Sequence, residues 1–223
     1  MLVFDLGMND GTDSEYYLSK GAKVVGVDAN PVSCDQVRFK LSNAVKDGRL
    51  IVVHAAIARD CNPIGFFKCH KNDHWCSIDK VWASRDGSTV DYITIAGTTV
   101  DHLIEAYGKP EYIKCDIEDA EYIVIEQLTK YGWKPNYISV EDCYRGPEYI
   151  KSLQAIGYNR FQLVEQSQFP RGSSGPMGSE LNLGGWLAPG DFLYCYHTVV
   201  REVSGKRIAP HHQWFDIHAT VSS

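Results

Sequence analysis

Short apolar runs alternate along the chain with stretches in which apolar residues recur at helical spacing. Leu2–Leu6 reads as a strand, 13–20 as a helix, 23–27 as a second strand and 31–45 as a second helix that Pro31 can start without losing a needed N–H. Leu50–His54 is a third strand. The pattern is less regular over 60–95, where 65–67 and 92–95 read as extra strands. A helix is expected at 99–107, capped by Thr98 or Thr99, then a strand at Tyr112–Cys115 that runs into Asp116. A helix at 120–131, a strand at 137–140 ending at Glu141-Asp142, and a helix at 147–156 closed by Gly157 follow. Runs at 161–164 and 192–197 read as the last two strands, and the tail beyond is not placed by the pattern. Strand–helix alternation of this kind predicts an α/β domain, a mostly parallel sheet with helices on both faces. One domain spanning 1–223 is expected, with an insertion at 60–90 on the substrate side. The stretch 166–190 is rich in Gly, Ser and Pro and reads as a lid-like loop.

Composition narrows the function. The chain has 223 residues and a net charge of -6, with Lys and Arg scattered, so a nucleic-acid partner is not expected. No apolar run approaches the roughly 20 residues of a membrane span. The start, MLVFDLG, lacks the basic and long apolar regions of a signal peptide, which predicts a cytoplasmic protein. Seven dispersed cysteines then read as reduced thiols. Cys69, His70, His74 and Cys76 are zinc-capable side chains, but their close spacing matches no common zinc motif.

The acids gather at strand ends: Asp5 in the first, Asp28 after the second, Asp116 and Glu118 after the fourth, Glu141 and Asp142 after the fifth. In an open α/β sheet, ligands bind beyond those ends. The turn after the first strand reads D-x-G-x-N-x-G, with Asp5, Gly7, Asn9 and Gly11. Its glycines allow a close backbone approach, and the helix that follows favours a negative group at its start. Asp28 lies 23 residues after Asp5 (28 − 5), where a carboxylate can take both hydroxyls of a ribose. The third glycine of a dinucleotide site and the lysine of a P-loop are both absent. A ribose acid without pyrophosphate machinery points to a nucleoside with an amino-acid tail, and S-adenosylmethionine fits. Two other readings remain open: a non-catalytic nucleoside-binding or scaffold domain, and an NAD-dependent oxidoreductase.

Taken together, "FDLGMNDGTDSEYYLSKGAKVVGVDANP", "HAAIA", "TTVDHLIEAYGKPEYIKCDIEDAEYIVIEQL" and "KPNYISVED" resemble the FkbM-type S-adenosylmethionine-dependent methyltransferases over residues 2 to about 142. The resemblance implies a class I methyltransferase (Rossmann-like) fold with a seven-stranded sheet. It also implies methyl transfer, typically to a hydroxyl of a sugar, glycan or natural product. The cofactor site would comprise Gly7, Asn9, Gly11 and Asp28, with His54, Ala55 and Ala56 bordering the adenine; Asp5, Thr12, Ser14, Ala29 and Asp116 complete the candidate set. One departure is Asp119, which stands where the family pattern K-x-D-x-E-G-A-E has glycine.

An alcohol is a weak nucleophile at neutral pH, so its methylation needs a general base or a metal ion. Candidate catalytic residues are Asp116, Glu118, Asp119, His70 and His74. Asp116, Glu141 and Asp142 could instead hold Mg²⁺, as hard oxygen ligands, or bind substrate directly. Tyr144 and Arg145 could line the acceptor site, and Trp75, Trp82, Phe169 and Trp186 could stack on a sugar ring. Cover for the site would come from 60–90, from 166–190, or from a second subunit of a homo-oligomer.

Overall fold

The computed structural model describes residues 1–167 and 182–221. Its centre is a sheet built from β1 (Leu2–Leu6), β2 (Lys23–Asp28), β3 (Leu50–His54), β8 (Tyr112–Cys115), β9 (Tyr137–Glu141), β10 (Arg160–Glu165), β11 (Asn182–Leu187) and β12 (Phe215–Thr220). The order is β11-β10-β12-β9-β8-β1-β2-β3. Strands β3, β2, β1, β8 and β9 run parallel, and β12 lies antiparallel between β9 and β10. The seven expected strands are therefore eight. Six of the expected runs are among them; β12 stands in place of the run at 192–197, and β11, which pairs antiparallel with β10 at the sheet edge, is the eighth.

Alternation along each strand sorts the core into two layers. Phe4, Leu6, Val25, Val27, Ile113 and Cys115 face the helices α5 (Val100–Tyr107), α6 (Glu121–Tyr131), α7 (Gly146–Ala155) and α8 (Pro189–Val199). Val3, Val24 and Tyr112 face α1 (Thr12–Ser19), α2 (Pro31–Lys40) and α3 (Ser42–Lys46). The same period-two rule places Asp5 and Lys114 on the α1 side, where they meet.

The structure corrects several expectations. The run at 192–197 is helical, part of α8. Pro189 opens that helix, and Phe192, Tyr196 and Val200 recur every fourth residue as buried positions. The helix expected at 31–45 is two, because Leu41 leaves helical geometry at φ −107°, ψ 29°. The insertion at 60–90 holds a hairpin of β5 (Ile64–Cys69) and β6 (Val90–Ile95), with the short helix α4 (Lys80–Ala83) between them. The two-residue strands β4 (Ala56–Ile57) and β7 (Gly97–Thr98) pair in parallel at its base and are too short for a periodicity to register. Of the lid-like stretch, 168–181 lies outside the described residues, and its later part is β11 and the start of α8. Among the described residues, no helix is long and apolar enough to cross a membrane.

Candidate functional site

A cavity of about 950 Å³ opens beyond the carboxyl ends of β1, β2, β8 and β9. Its first wall is the turn after β1. Gly7 has φ +82°, and a Cβ there would lie 1.7 Å from the Asp116 carbonyl oxygen. That glycine is required because the turns after β1 and β8 cross. Gly11, φ +75°, precedes α1, and a Cβ there would press on Val37 of α2 at 2.8 Å. Asn9 takes a left-handed φ of 44°, and its N–H donates to Asp28 Oδ2 at 2.8 Å. The N–H of Asn30 donates to the other oxygen, Oδ1, at 2.7 Å. Two backbone donors thus fix the orientation of the Asp28 carboxylate. Burial pushes its pKa up, and the two N–H groups pull against that rise. Ala29, Ala55 and Ala56 line the cavity next to it, and the Ala55 N–H is held by the Asp28 carbonyl at 3.0 Å.

Beneath this wall lies an array of buried charge. The Lys114 ammonium is 3.1 Å from Asp13, 3.2 Å from Asp116 and 3.9 Å from Asp5. Burial pulls its pKa down, but the carboxylates of Asp116, Asp13 and Asp5 together outweigh burial and hold it well above the ordinary value. Asp5 is fully buried and accepts a 2.6 Å hydrogen bond from Ser14 on Oδ2, while its Oδ1 has no hydrogen-bond partner among the described residues. Burial pushes the Asp5 carboxyl up to about 7 despite the nearby Lys114.

A second cluster lines the same cavity. One oxygen from each of Asp116, Glu118 and Glu141 comes within 4.8 Å of the others. Glu118 accepts from Trp82 Nε1 at 2.6 Å and Arg85 at 2.8 Å, and burial followed by the Asp116 charge lifts it to about 7. Burial, then Asp116 and Glu118, push Glu141 well above its usual range. Behind them Glu121, which accepts from the Ile117 N–H and the Tyr149 hydroxyl, is raised by burial to about 8. Glu118 and Asp119 have φ of 58° and 72°. Asp119 stands where the family pattern has glycine, and the left-handed backbone explains that preference; an aspartate tolerates it better than most residues.

These raised acids have a thermodynamic consequence. Asp5, Glu118 and Asp216 titrate near 7 and Glu121 near 8, each lifted first by burial, so the folded chain keeps protons the unfolded chain has already lost. The buried His218 is held down to about 3 by burial and opposes this trend only below its unfolded value of 6.5. Between pH 6.5 and 8 stability should therefore fall as pH rises, by about 2–4 °C in melting temperature for each kcal/mol lost. Thermal melts across that window, in chelator, check the sign; a midpoint that rises toward pH 8 refutes it.

The FkbM methyltransferase domain matches residues 5–167, or 163 of the 223 residues (167 − 5 + 1). The chain belongs to this family. It is an S-adenosylmethionine-dependent methyltransferase with a class I fold. Among curated proteins none matches the chain. Among solved structures it is similar to precorrin-6y C5,15-methyltransferase from Geobacter metallireducens, at 11% identity and TM-score 0.46, covering 100% of this chain and 80% of that one. It is also similar to the C-terminal domain of the Rhodobacter capsulatus precorrin-6Y C5,15-methyltransferase, at 11% identity and TM-score 0.47, covering 98% and 79%. A third, a methyltransferase from Thiobacillus denitrificans in complex with S-adenosylhomocysteine, is 10% identical with TM-score 0.43, covering 99% and 85%.

In this FkbM methyltransferase the cofactor candidates Gly7, Asn9, Thr12, Asp28, Ala29, Ala55, Ala56 and Asp116 all line the cavity. Asp5, Ser14 and Gly11 lie beneath it: the first two bind each other and the third packs helices. The donor set suits the cofactor, with a preset carboxylate for ribose hydroxyls and a glycine turn for the amino-acid tail. His54 turns its Nε2 to the Ala29 carbonyl at 3.2 Å instead of facing the cavity. Among the catalytic candidates, Asp116, Glu118 and His74 line the cavity, and His74 sits 2.7 Å from the Asn9 amide. His70 does not; it pairs with Asp91 at 2.9 Å on the outside of the hairpin. Asp119 binds Arg145 at 3.1 Å. Cys69 Sγ lies 2.9 Å from Ser88, and among the described residues no metal-holding group brings Cys69 or Cys76 together with His70 or His74. Of the metal candidates, Asp142 is engaged elsewhere, accepting from Tyr196, Gly146 and Arg201; Glu118 takes its place beside Asp116 and Glu141. Trp75 and Trp82 line the cavity, Trp186 packs on Tyr137 instead, and Phe169 is outside the described residues.

Sequence reasoning missed the far wall: Gln166, Arg201, Arg207, His211, His212 and Asp216. Strand β12 runs antiparallel, so its first residues lie at the same sheet edge as the last residues of β9, with Asp216 opposite Glu141. Gln166 then donates to Asp216 at 2.8 Å. No local pattern carries that information, since it follows only from the strand's direction.

Proposed function

We propose that this methyltransferase acts on a hydroxyl oxygen of a small polar acceptor, a sugar, glycan or natural product. The observation that carries the reading is the trio Asp116, Glu118 and Glu141, whose oxygens converge within 4.8 Å on the acceptor side of the cofactor cavity. S-adenosylmethionine supplies an electrophilic methyl group when bound, so the chain's own task is to align a hydroxyl and lower the cost of its proton. Glu118 is lifted to about 7, which suits a group that takes and releases a proton near neutral pH, and burial pushes Glu141 well above the usual carboxylate range beside it. The same oxygens form a hard donor set that would hold Mg²⁺, and the cation would lower the pKa of the bound hydroxyl. Trp75 and Trp82 line the cavity beside the trio, with the Arg85 guanidinium stacked between their rings.

Transfer of a labelled methyl group from S-adenosylmethionine to a panel of sugar and phenolic acceptors tests the reading. Label should be recovered on oxygen. Exclusive transfer to nitrogen or carbon overturns it. In EDTA, turnover should fall at least tenfold and return with Mg²⁺; full activity in chelator removes the cation and leaves the carboxyl trio alone as the proton acceptor. A protein partner or nucleic acid is not part of this reading, which places the acceptor inside the cavity.

A further inference from the structure

Methyl transfer as derived above makes no use of Arg201, the residue two positions beyond α8. Arg201 is 3% exposed, yet it lines the cavity. Its Nε donates to Asp142 Oδ2 at 3.2 Å, and the Tyr196 hydroxyl lies beside the guanidinium. A guanidinium has five N–H donors in a rigid fork. Those two partners occupy two of them, and among the described residues no other acceptor takes the rest. An arginine present only to neutralise Asp142 would be expected to grip both carboxylate oxygens. Here Asp142 is held on its other oxygen by Tyr196 and the Gly146 N–H, so the fork of Arg201 remains available.

The surroundings hold that fork rigidly. The guanidinium lies 4.0 Å from the centre of the Tyr144 ring, and Tyr144 is held there in a left-handed backbone, φ 72°. Tyr144 meets Trp82 edge-on at 5.4 Å, and Arg85 lies between Trp82 and Trp75 at 4.5 and 4.6 Å. Arg207, paired with Arg201 in an antiparallel bridge, binds the carbonyls of Ala209, Pro210 and Gln213, which holds His211 and His212 at the rim. The acids nearby do not oppose a negative ligand at Arg201: Asp142 is already bound, Glu118 is paired with Arg85 and Asp116 with Lys114, while burial pushes Glu141 and Asp216 up toward their neutral forms.

We propose that Arg201 is the anion-reading end of the acceptor subsite, so that the acceptor is a sugar carrying a carboxylate or phosphate group. The inference rests on the methyltransferase reading of the same cavity. Arg201 fixes the acidic substituent, which sets which hydroxyl meets the carboxylate trio.

Calorimetric titration of the full chain saturated with S-adenosylhomocysteine tests this, with glucuronate, glucose 6-phosphate and glucose as probes. At least one acidic probe should bind roughly 10–100-fold more tightly than glucose, the range expected for charge-assisted hydrogen bonds. Which acid wins identifies carboxylate or phosphate as the source. Arg201→Met should reduce the preference to within about threefold and leave S-adenosylhomocysteine affinity unchanged. Arg201→Lys keeps a charge for Asp142 without the fork and should lower the preference about tenfold; it carries the test where the methionine variant does not fold. Equal binding of acidic and neutral probes, or a preference that survives in a folded variant, overturns the proposal. Failure to bind S-adenosylhomocysteine at all overturns the methyltransferase reading along with it, whereas cofactor binding without an acid preference overturns this inference alone.

Discussion

Replacing Lys114 with methionine should cost about 3–5 kcal/mol of folding free energy at pH 8, the cost of removing one partner from a buried charge array. Lys114 sits within 4 Å of three carboxylates, and its side chain is 5% exposed. Methionine fills similar volume and leaves Asp5, Asp13 and Asp116 without a cation. The loss should shrink at pH 6. Asp5 is raised to about 7 even beside Lys114, and without the ammonium it rises further, so at pH 6 it holds its proton and one fewer charge is stranded. Urea unfolding of both proteins at pH 6 and 8 measures the difference. A variant as stable as the parent at pH 8 would mean that the three carboxylates do not depend on Lys114. The array has a functional side too: Lys114 lines the cavity and holds Asp116, a member of the acceptor-side trio, at 3.2 Å.

The parallel half of the molecule was legible because each of its strands announces itself locally. Leu2–Leu6, Lys23–Asp28 and Tyr112–Cys115 are apolar runs that end in an acid or a glycine turn, and parallel strands put all those ends on one side. Gly7, Asn9 and Asp28 lie at two such ends and so share one cavity. The antiparallel half was not legible. Phe192–His197 is aromatic enough to read as a strand, and only its packing, with Phe192 against Phe161 at 5.5 Å, shows the helical face that is buried. Asp216 and Arg201 enter the site through chain direction and tertiary contact, which no spacing records. Lys114 was visible in the sequence, but its burial among three acids depends on the pleat of β8 beside β1. The role of Asp142 changed for the same reason: its position at the end of β9 suggested a ligand, and the arrival of Tyr196 and Arg201 from α8 and beyond turned it into a structural anchor.

Removing the Asp28 carboxylate should be the most damaging change to cofactor binding. Each of its oxygens receives one backbone N–H, from Asn9 at 2.8 Å and Asn30 at 2.7 Å, which locks the group and leaves its remaining lone pairs toward the cavity it lines. Two ribose hydroxyls bound there would make two charge-assisted hydrogen bonds, each contributing roughly 1.5–3 kcal/mol. Asp28→Ala is therefore expected to weaken S-adenosylhomocysteine binding by roughly 10²–10⁴-fold, with the parent's circular dichroism retained. Asp28→Asn should lose affinity as well, because its amide NH₂ must face one of the two backbone donors that now point at an oxygen. Calorimetry on both variants decides the matter. If a folded Asp28→Ala variant binds the cofactor product as tightly as the parent, the ribose does not sit at Asp28. The nucleoside would then have to be placed elsewhere in the cavity, with Asp28 reduced to a clamp that joins the turn after β1 to the start of α2.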